Sequence, residues 1–259
     1  MAFKKLKYWF DGDLAGLLAE KISKVDSGFN QQRFTEAVIS KVDPLELKDR
    51  VEVIADELFF ALDQDYVYGV SILMESLGPE NDEETGMFTN FYWVMPIAKY
   101  VEKYGLNDFE LSMKAIEEVT KRNTGEYTIR PFLEKYLDET LNRMEKWSID
   151  ENFHLRRLSS EGVRPRLPWA SKMDAFISNP TLILPILKNL KDDPIRFVQK
   201  SVASCVHDIL KDNPEVAKDL IEKWNGKDIS KERKWIIKHA IRNLTKVNDP
   251  WALEMLDYS

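Results

Sequence analysis

Apolar residues recur along most of this chain at intervals of three and four, the period that sets them on one side of a helix. The clearest case is DPIRFVQKSVASCVHDILKDNPEVAKDLIEKW, in which Val198, Val202, Cys205, Val206 and Ile209 form a single stripe. Lys200, Ser204, His207, Asp208 and Lys211 repeat the spacing two residues on, a polar stripe about 200° round the same helix. KDNP then stops the segment, because the residue before a proline avoids the α conformation. KWIIKHAIRNLTKVNDPWALEML follows the same plan, with Ile237, Ile241 and Leu244 on its apolar side, Lys238, Arg242 and Lys246 on its polar side, and VNDP as its stop.

Aligning these segments puts Arg157, Lys200 and Lys238 in equivalent places, separated by 43 and 38 residues. That period suits a helix-pair solenoid of HEAT type. Such units cannot bury their apolar faces alone, so neighbours stack and equivalent polar positions line up. The expected fold is all-α: a HEAT-like helix-pair solenoid with a concave basic face. FTEAVISKV, LKDRVEVIADELFFALDQDYVYGVSILMESL and LSMKAIEEVTKRNTGEYTIRPFLEKYLDETLNRMEKW fit further helices with less regular spacing, and the Gly78 to Gly86 stretch reads as an exposed acidic loop. No linker calls for a second domain, so residues 1–259 are expected to act as one.

Composition supports helix: 31% of the 259 residues are charged and only 10 are glycine, while 44% are hydrophobic, enough to build a core. No segment offers the ~20 apolar residues of a membrane-spanning helix. The N-terminal apolar run is broken by Asp11 and Asp13 before a signal core forms, and Cys205 has no second cysteine to pair with. A cytoplasmic, membrane-free protein is expected. The net charge of −7 argues against a polyanionic partner, but Asp43 to Glu84 alone carries −11, which leaves +4 for the rest.

Positive charge peaks in FHLRRLSSEGVRPRLPWASK, where Arg156, Arg157, Arg164, Arg166 and Lys172 surround a single acid, Glu161. Gly162 is expected to end a helix in the left-handed conformation, and Pro165 and Pro168 to stiffen the loop that carries Trp169. One reading is a structural corner in which arginines pair with acids and the tryptophan enters the core. The other is a phosphate clamp around a carboxylate, since five cations against one local acid leave an excess. A carboxylate inside a DNA-binding surface repels phosphate and so calls for a reason. Catalysis supplies one: breaking the bond between deoxyribose and a base creates a cation-like sugar that a fixed negative charge stabilises. A base made cationic by alkylation leaves without a proton donor, and an aromatic face suits the cation.

Asp208 is the second acid of interest, its plain alternative being a solvated or lysine-paired residue. Glu126, in NTGEYTIRPF, fits a first-turn acid favoured by the helix dipole. His154, His207 and His239 lack metal-ligand spacing, and there is no phosphate-loop or dinucleotide glycine pattern, so neither metal nor cofactor is expected. The tryptophans at 9, 93, 147, 224, 235 and 251 read as core or inter-helix packing.

RRLSSEGVRPRLPWASK resembles the arginine-rich signature of the AlkC branch of the HEAT-like-repeat DNA glycosylases. TKRNTGEYTIRPF, SVASCVHDILKDNP and WIIKHAIRNLTK are similar, in the same order, to three further segments of that family. The resemblance spans nearly the whole chain. It implies excision of alkylated bases, notably 3-methyladenine, from double-stranded DNA, without a metal and without flipping the base into a pocket. It assigns catalytic or lesion-contact roles to Glu126, Glu161, Trp169 and Asp208, with Arg157 supporting the site. Arg130, Arg156, Arg157, Arg164, Arg166, Lys172, Lys200, Lys211, Lys238 and Arg242 become the expected DNA contacts of a monomer. The chain departs from the family pattern at Gln199, Ser204, Cys205 and His207, and it resembles the short form that lacks an appended immunoglobulin-like domain. The alternatives are a non-catalytic nucleic-acid-binding solenoid and a protein-binding scaffold.

Overall fold

The computed structural model describes residues 4–85 and 88–257. Among these the secondary structure is entirely helical. The α-helices are α1 (Gly12–Ser23), α2 (Gln31–Val42), α3 (Leu47–Ala61), α4 (Tyr66–Glu75), α5 (Phe88–Phe91), α6 (Met95–Tyr104), α7 (Phe109–Thr120), α8 (Arg130–Lys135), α9 (Leu137–Trp147), α10 (Phe153–Gly162), α11 (Asp174–Ser178), α12 (Leu184–Leu190), α13 (Arg196–Asp212), α14 (Pro214–Trp224), α15 (Lys231–Ala240), α16 (Arg242–Lys246) and α17 (Pro250–Asp257). Short polar residues start many of them. The side chains of Asp11, Asn30, Asp65, Asp108, Asn152 and Ser230 accept from backbone N–H groups of the first turns of α1, α2, α4, α7, α10 and α15. Each satisfies a donor that the helix itself cannot.

The helices group into two compact units, Met1–Phe132 and Leu133–Ser259. In the first, α1, α2 and α3 pack in sequence and α3 packs on α6. Two acids of α3, Glu52 and Asp56, share Lys103 there at 2.8 and 2.7 Å. Arg50 is buried and donates to the carbonyls of Phe10, Asp43 and Leu45, which makes its burial tolerable. The acidic loop is exposed except at Asn81, whose backbone N–H donates to Lys121 O and whose amide donates to Thr85 O. Its last residue, Gly86, lies outside the described residues.

The second unit carries the repeat. Helices α10, α13 and α15 lie side by side in that order, with α14 also against α13. These helices bear Arg157, Lys200 and Lys238, so equivalent positions of the sequence repeat fall on successive stacked helices. The predicted apolar stripe Val198, Val202, Cys205, Val206 and Ile209 is fully buried. Shortening any one of the aliphatic members to alanine costs about 1–5 kcal/mol.

Two expectations are corrected here. Gly162 is the last residue of α10 rather than a left-handed stop, and the helix ends through Val163 at φ −87°. The positive-φ residue of this loop is Trp169, at 60°. The segment after Trp235 is also not one helix: Ile241, at φ −92° and ψ 5°, separates α15 from α16.

Candidate functional site

The loop after α10 is anchored by its apolar members. Val163, Pro165, Leu167 and Met173 are buried, and Met173 N–H closes the loop on Pro165 O at 3.1 Å. With those inside, Arg164 and Arg166 reach α13. Two residues of extended chain span at most ~7 Å and one helical turn rises about 5.4 Å, so alternate loop positions match acids one turn apart. Arg164 Nε donates to Asp208 Oδ2 at 2.8 Å, and Arg166 grips Asp212 with two hydrogen bonds of 2.7 and 2.5 Å.

Arg164 joins two acids. Its Nη1 donates to Glu161 Oε1 at 2.8 Å, so one guanidinium holds carboxylates from α10 and α13. Arg157 stands 3.5 Å from the same Glu161 oxygen and lies over the Phe197 ring. The quartet is charge-balanced and largely buried, with Glu161 7% exposed and Asp208 1%. Charges so far from water persist only when paired. The two acids differ in acidity. Burial pushes Glu161 up, but Arg157 and Arg164 more than offset it and hold the carboxyl below the ordinary glutamate value. For Asp208 burial prevails over Arg164, and its pKa lies above the usual aspartate value.

Trp169 projects from the rim of this loop. It is 82% exposed, and its left-handed backbone costs a non-glycine residue about 1–2 kcal/mol. An exposed indole held in a strained turn is an unusual use of a tryptophan, and it points to a ligand. By contrast Trp93, Trp147 and Trp224 are buried, as expected.

The arginines do not form the free cluster that local charge suggested. Arg156 donates to Asp193 at 2.6 Å and to the carbonyls of Asp150 and Glu151. Each of Arg156, Arg157, Arg164 and Arg166 therefore meets an acid, and all but one of those acids lie 37 to 46 residues away in sequence. For the four arginines the expected excess over acids is overturned, because it counted only neighbours in sequence; Lys172, the fifth cation of the stretch, is exposed. Asp208 is likewise neither solvated nor lysine-paired. The polar stripe of α13 is exposed at Lys200 and Lys211, while His207 and Asp208 are buried.

Lys172, Lys200, Lys211 and Lys238 are exposed. Arg242 is half-buried and donates to His239 O. His207 accepts at Nε2 from the Asn243 amide, so it is the Nδ1–H tautomer that donates to Ala240 O at 2.8 Å. Burial lowers its pKa, which keeps this ring neutral. In the first unit, Glu126 lies in the turn before α8, its carboxylate accepting from the Thr124 hydroxyl. Arg130, expected among the phosphate contacts, is 4% exposed and so not displayed to solvent. The acid that the sequence reading missed is Asp212, whose i, i+4 spacing from Asp208 opposite an R-x-R loop was the available signal. Among the described residues no helix is long and apolar enough to cross a membrane.

A helical-repeat protein with a buried pair of carboxylates and, on the loop that joins them through Arg164, a displayed indole is the class that fold and site define. The family described as DNA alkylation repair enzyme matches residues 38–244, and the chain belongs to that family. The uncharacterized protein YhaZ of Bacillus subtilis strain 168 is 35% identical over 254 residues, 98% of this chain and 68% of YhaZ. A solved structure, the Pseudomonas fluorescens alkylpurine DNA glycosylase AlkC bound to DNA containing an abasic site analog, superposes with a TM-score of 0.89. The two are 32% identical over 98% of this chain and 69% of the other.

Proposed function

We propose that the protein is a monofunctional DNA glycosylase that removes cationic alkylated bases of the 3-methyladenine type from double-stranded DNA, as the first step of base excision repair. The observation that carries this reading is the Glu161–Arg164–Asp208 junction, whose arginine shares its loop with the exposed Trp169. Water adds to C1′ of the deoxyribose as the C1′–N bond breaks. The electron pair of that bond neutralises the departing base, and the water proton passes to a carboxylate.

The pairing of the two acids assigns the roles: with Arg164 drawn away, Glu161 keeps Arg157, while Asp208 loses its ion-pair partner. Asp208, with the raised pKa, is the stronger base and takes the proton from water. Glu161 stays ionised, so its carboxylate, held in place by Arg157, supplies the fixed negative charge that stabilises the developing positive charge of the sugar. Trp169 packs against the strained nucleotide. In the free chain Arg164 covers Asp208, so DNA must draw Arg164 away. A backbone phosphate, which takes a guanidinium through paired hydrogen bonds, is the group able to do it. Glu126 enters this reading through the family resemblance alone and is tested by its own glutamine variant. The protein acts as a cytoplasmic monomer over its full length.

The test is release of free base. Purified protein is incubated with methylated DNA, and the liberated bases are separated by chromatography. 3-Methyladenine is expected to appear, and to disappear with Asp208→Asn. No base release from the wild-type protein would overturn the assignment, and DNA binding without release would leave a silent DNA-binding repeat protein.

A further inference from the structure

Four basic residues on α13, α15 and α16, namely Arg196, Lys200, Lys238 and Arg242, stand in a different state from the arginines around Glu161, and from Arg233 of α15, which pairs with Asp192. Arg196 lies with its guanidinium 3.9 Å from the centre of the Trp235 ring, and Trp235 is stacked on His239 at 4.6 Å and 12°. Lys200, one turn along α13 from Arg196, and Lys238, beside His239, are both exposed. Among the described residues, none of Arg196, Lys200, Lys238 and Arg242 has an acidic partner, and neither ring nitrogen of His239 is hydrogen-bonded. Of these cations Arg196, Lys200 and Arg242 all act on His239, and cations gathered without a carboxylate repel one another unless an anion joins them. The indole fixes the planes of the guanidinium and the imidazole, and a guanidinium on an aromatic face keeps its N–H edge available for two parallel hydrogen bonds.

We propose that the Arg196–Trp235–His239 stack is a binding site for a DNA backbone phosphate, which it takes with uptake of one proton from solvent by His239. This deepens the DNA glycosylase reading and rests on it for the identity of the anion. The groups that act on His239 are Arg242 from α16, and His207, Lys200 and Arg196 from α13. Burial is the largest cause of its lowered pKa and those cations add to it, so in the free protein the ring is neutral near pH 7. A phosphate reverses the sign of the local field and raises the pKa. Linkage then requires binding to tighten as pH falls: the extra affinity is complete below the free-state pKa and lost as pH rises through the bound-state pKa. A second consequence follows from the stack. Arg196→Lys keeps the charge but loses the plane, and so should weaken binding where a mere charge requirement would not.

The experiment measures binding of a short undamaged duplex by fluorescence anisotropy at constant ionic strength, between about pH 5.5 and pH 8. Wild type is expected to bind about tenfold more tightly at the lower end, the factor that a one-unit rise in pKa produces. His239→Gln should flatten this dependence. The Cε1–H resonance of His239 in the wild-type protein gives a second readout that needs no variant, and its titration midpoint should rise when duplex is added. The same slope in His239→Gln as in wild type, or an unmoved midpoint in the presence of bound duplex, overturns the proposal. Base release is scored separately on methylated DNA. Release with an unmoved His239 sinks only the phosphate site, while His239-linked binding without release sinks only the glycosylase reading.

Discussion

Two positively charged regions of the second unit teach opposite lessons. The stretch from Arg156 to Arg166 is the densest in arginine, yet each of its guanidiniums is committed to an acid on α10, on α13 or just before it. On α13, α15 and α16 arginines are fewer, yet Arg196, Lys200, Lys238 and Arg242 have no acidic partner among the described residues. Charge density along a chain therefore does not locate its electropositive surface. Acids that return from distant helices decide that, and here they return to the arginines.

The contrast can be broken in several ways. The largest effect is expected at the junction itself. Asp208→Asn should lower base release by about 10²–10⁴-fold while the duplex still binds, because removing a general base costs the chemical step rather than the backbone contacts. In the wild type the rate should fall as pH drops through the pKa of Asp208, on an acid limb displaced above that of an ordinary aspartate. A variant that loses binding in proportion to activity would make Asp208 a folding residue only.

Arg164→Ala comes next. It leaves two buried carboxylates without their shared partner and should destabilise the protein by about 3–5 kcal/mol, read from urea unfolding. If stability is unchanged and only DNA affinity falls, Arg164 is a surface clamp and the contrast between the regions fails. On the other face, replacing Lys200 and Lys238 by glutamine should leave stability within about 0.5 kcal/mol. The same pair should reduce the slope of log affinity against log salt by about two, one for each lost phosphate contact. An unchanged slope would remove both lysines from the interface.

The smallest effect sharpens the comparison. Asp212→Asn releases Arg166, which is one-third exposed, from its partner at a cost of at most about 1 kcal/mol. The freed guanidinium should strengthen undamaged-duplex binding a few-fold, measured at low salt. Weaker binding would show that Asp212 orients Arg166 for DNA rather than withholding it.

Much of the fold was legible in advance. The stripe from Val198 to Ile209, the proline stops and the offset between Arg157, Lys200 and Lys238 specified helices that stack in order, because burying a periodic apolar face admits few other arrangements. Glu161, Trp169 and Asp208 become candidate site residues through a resemblance in short segments. What those segments could not show is that Asp208 is sealed under Arg164, or that Trp169 and not Gly162 takes the left-handed turn. The stack of Arg196, Trp235 and His239 leaves only a weak trace in the sequence, the i, i+4 spacing of an indole and an imidazole, which by itself reads as inter-helix packing.

By itself the sequence determined which segments are helical and which side of each must be buried, since both depend on residues within a turn or two of one another, while the ends at Gly162 and Ile241 did not follow from it. Tertiary structure alone decided which charges cancel. Ion pairing depends on distance in space, and the partners of Arg156, Arg164 and Arg166 come from 37, 44 and 46 residues further along the chain.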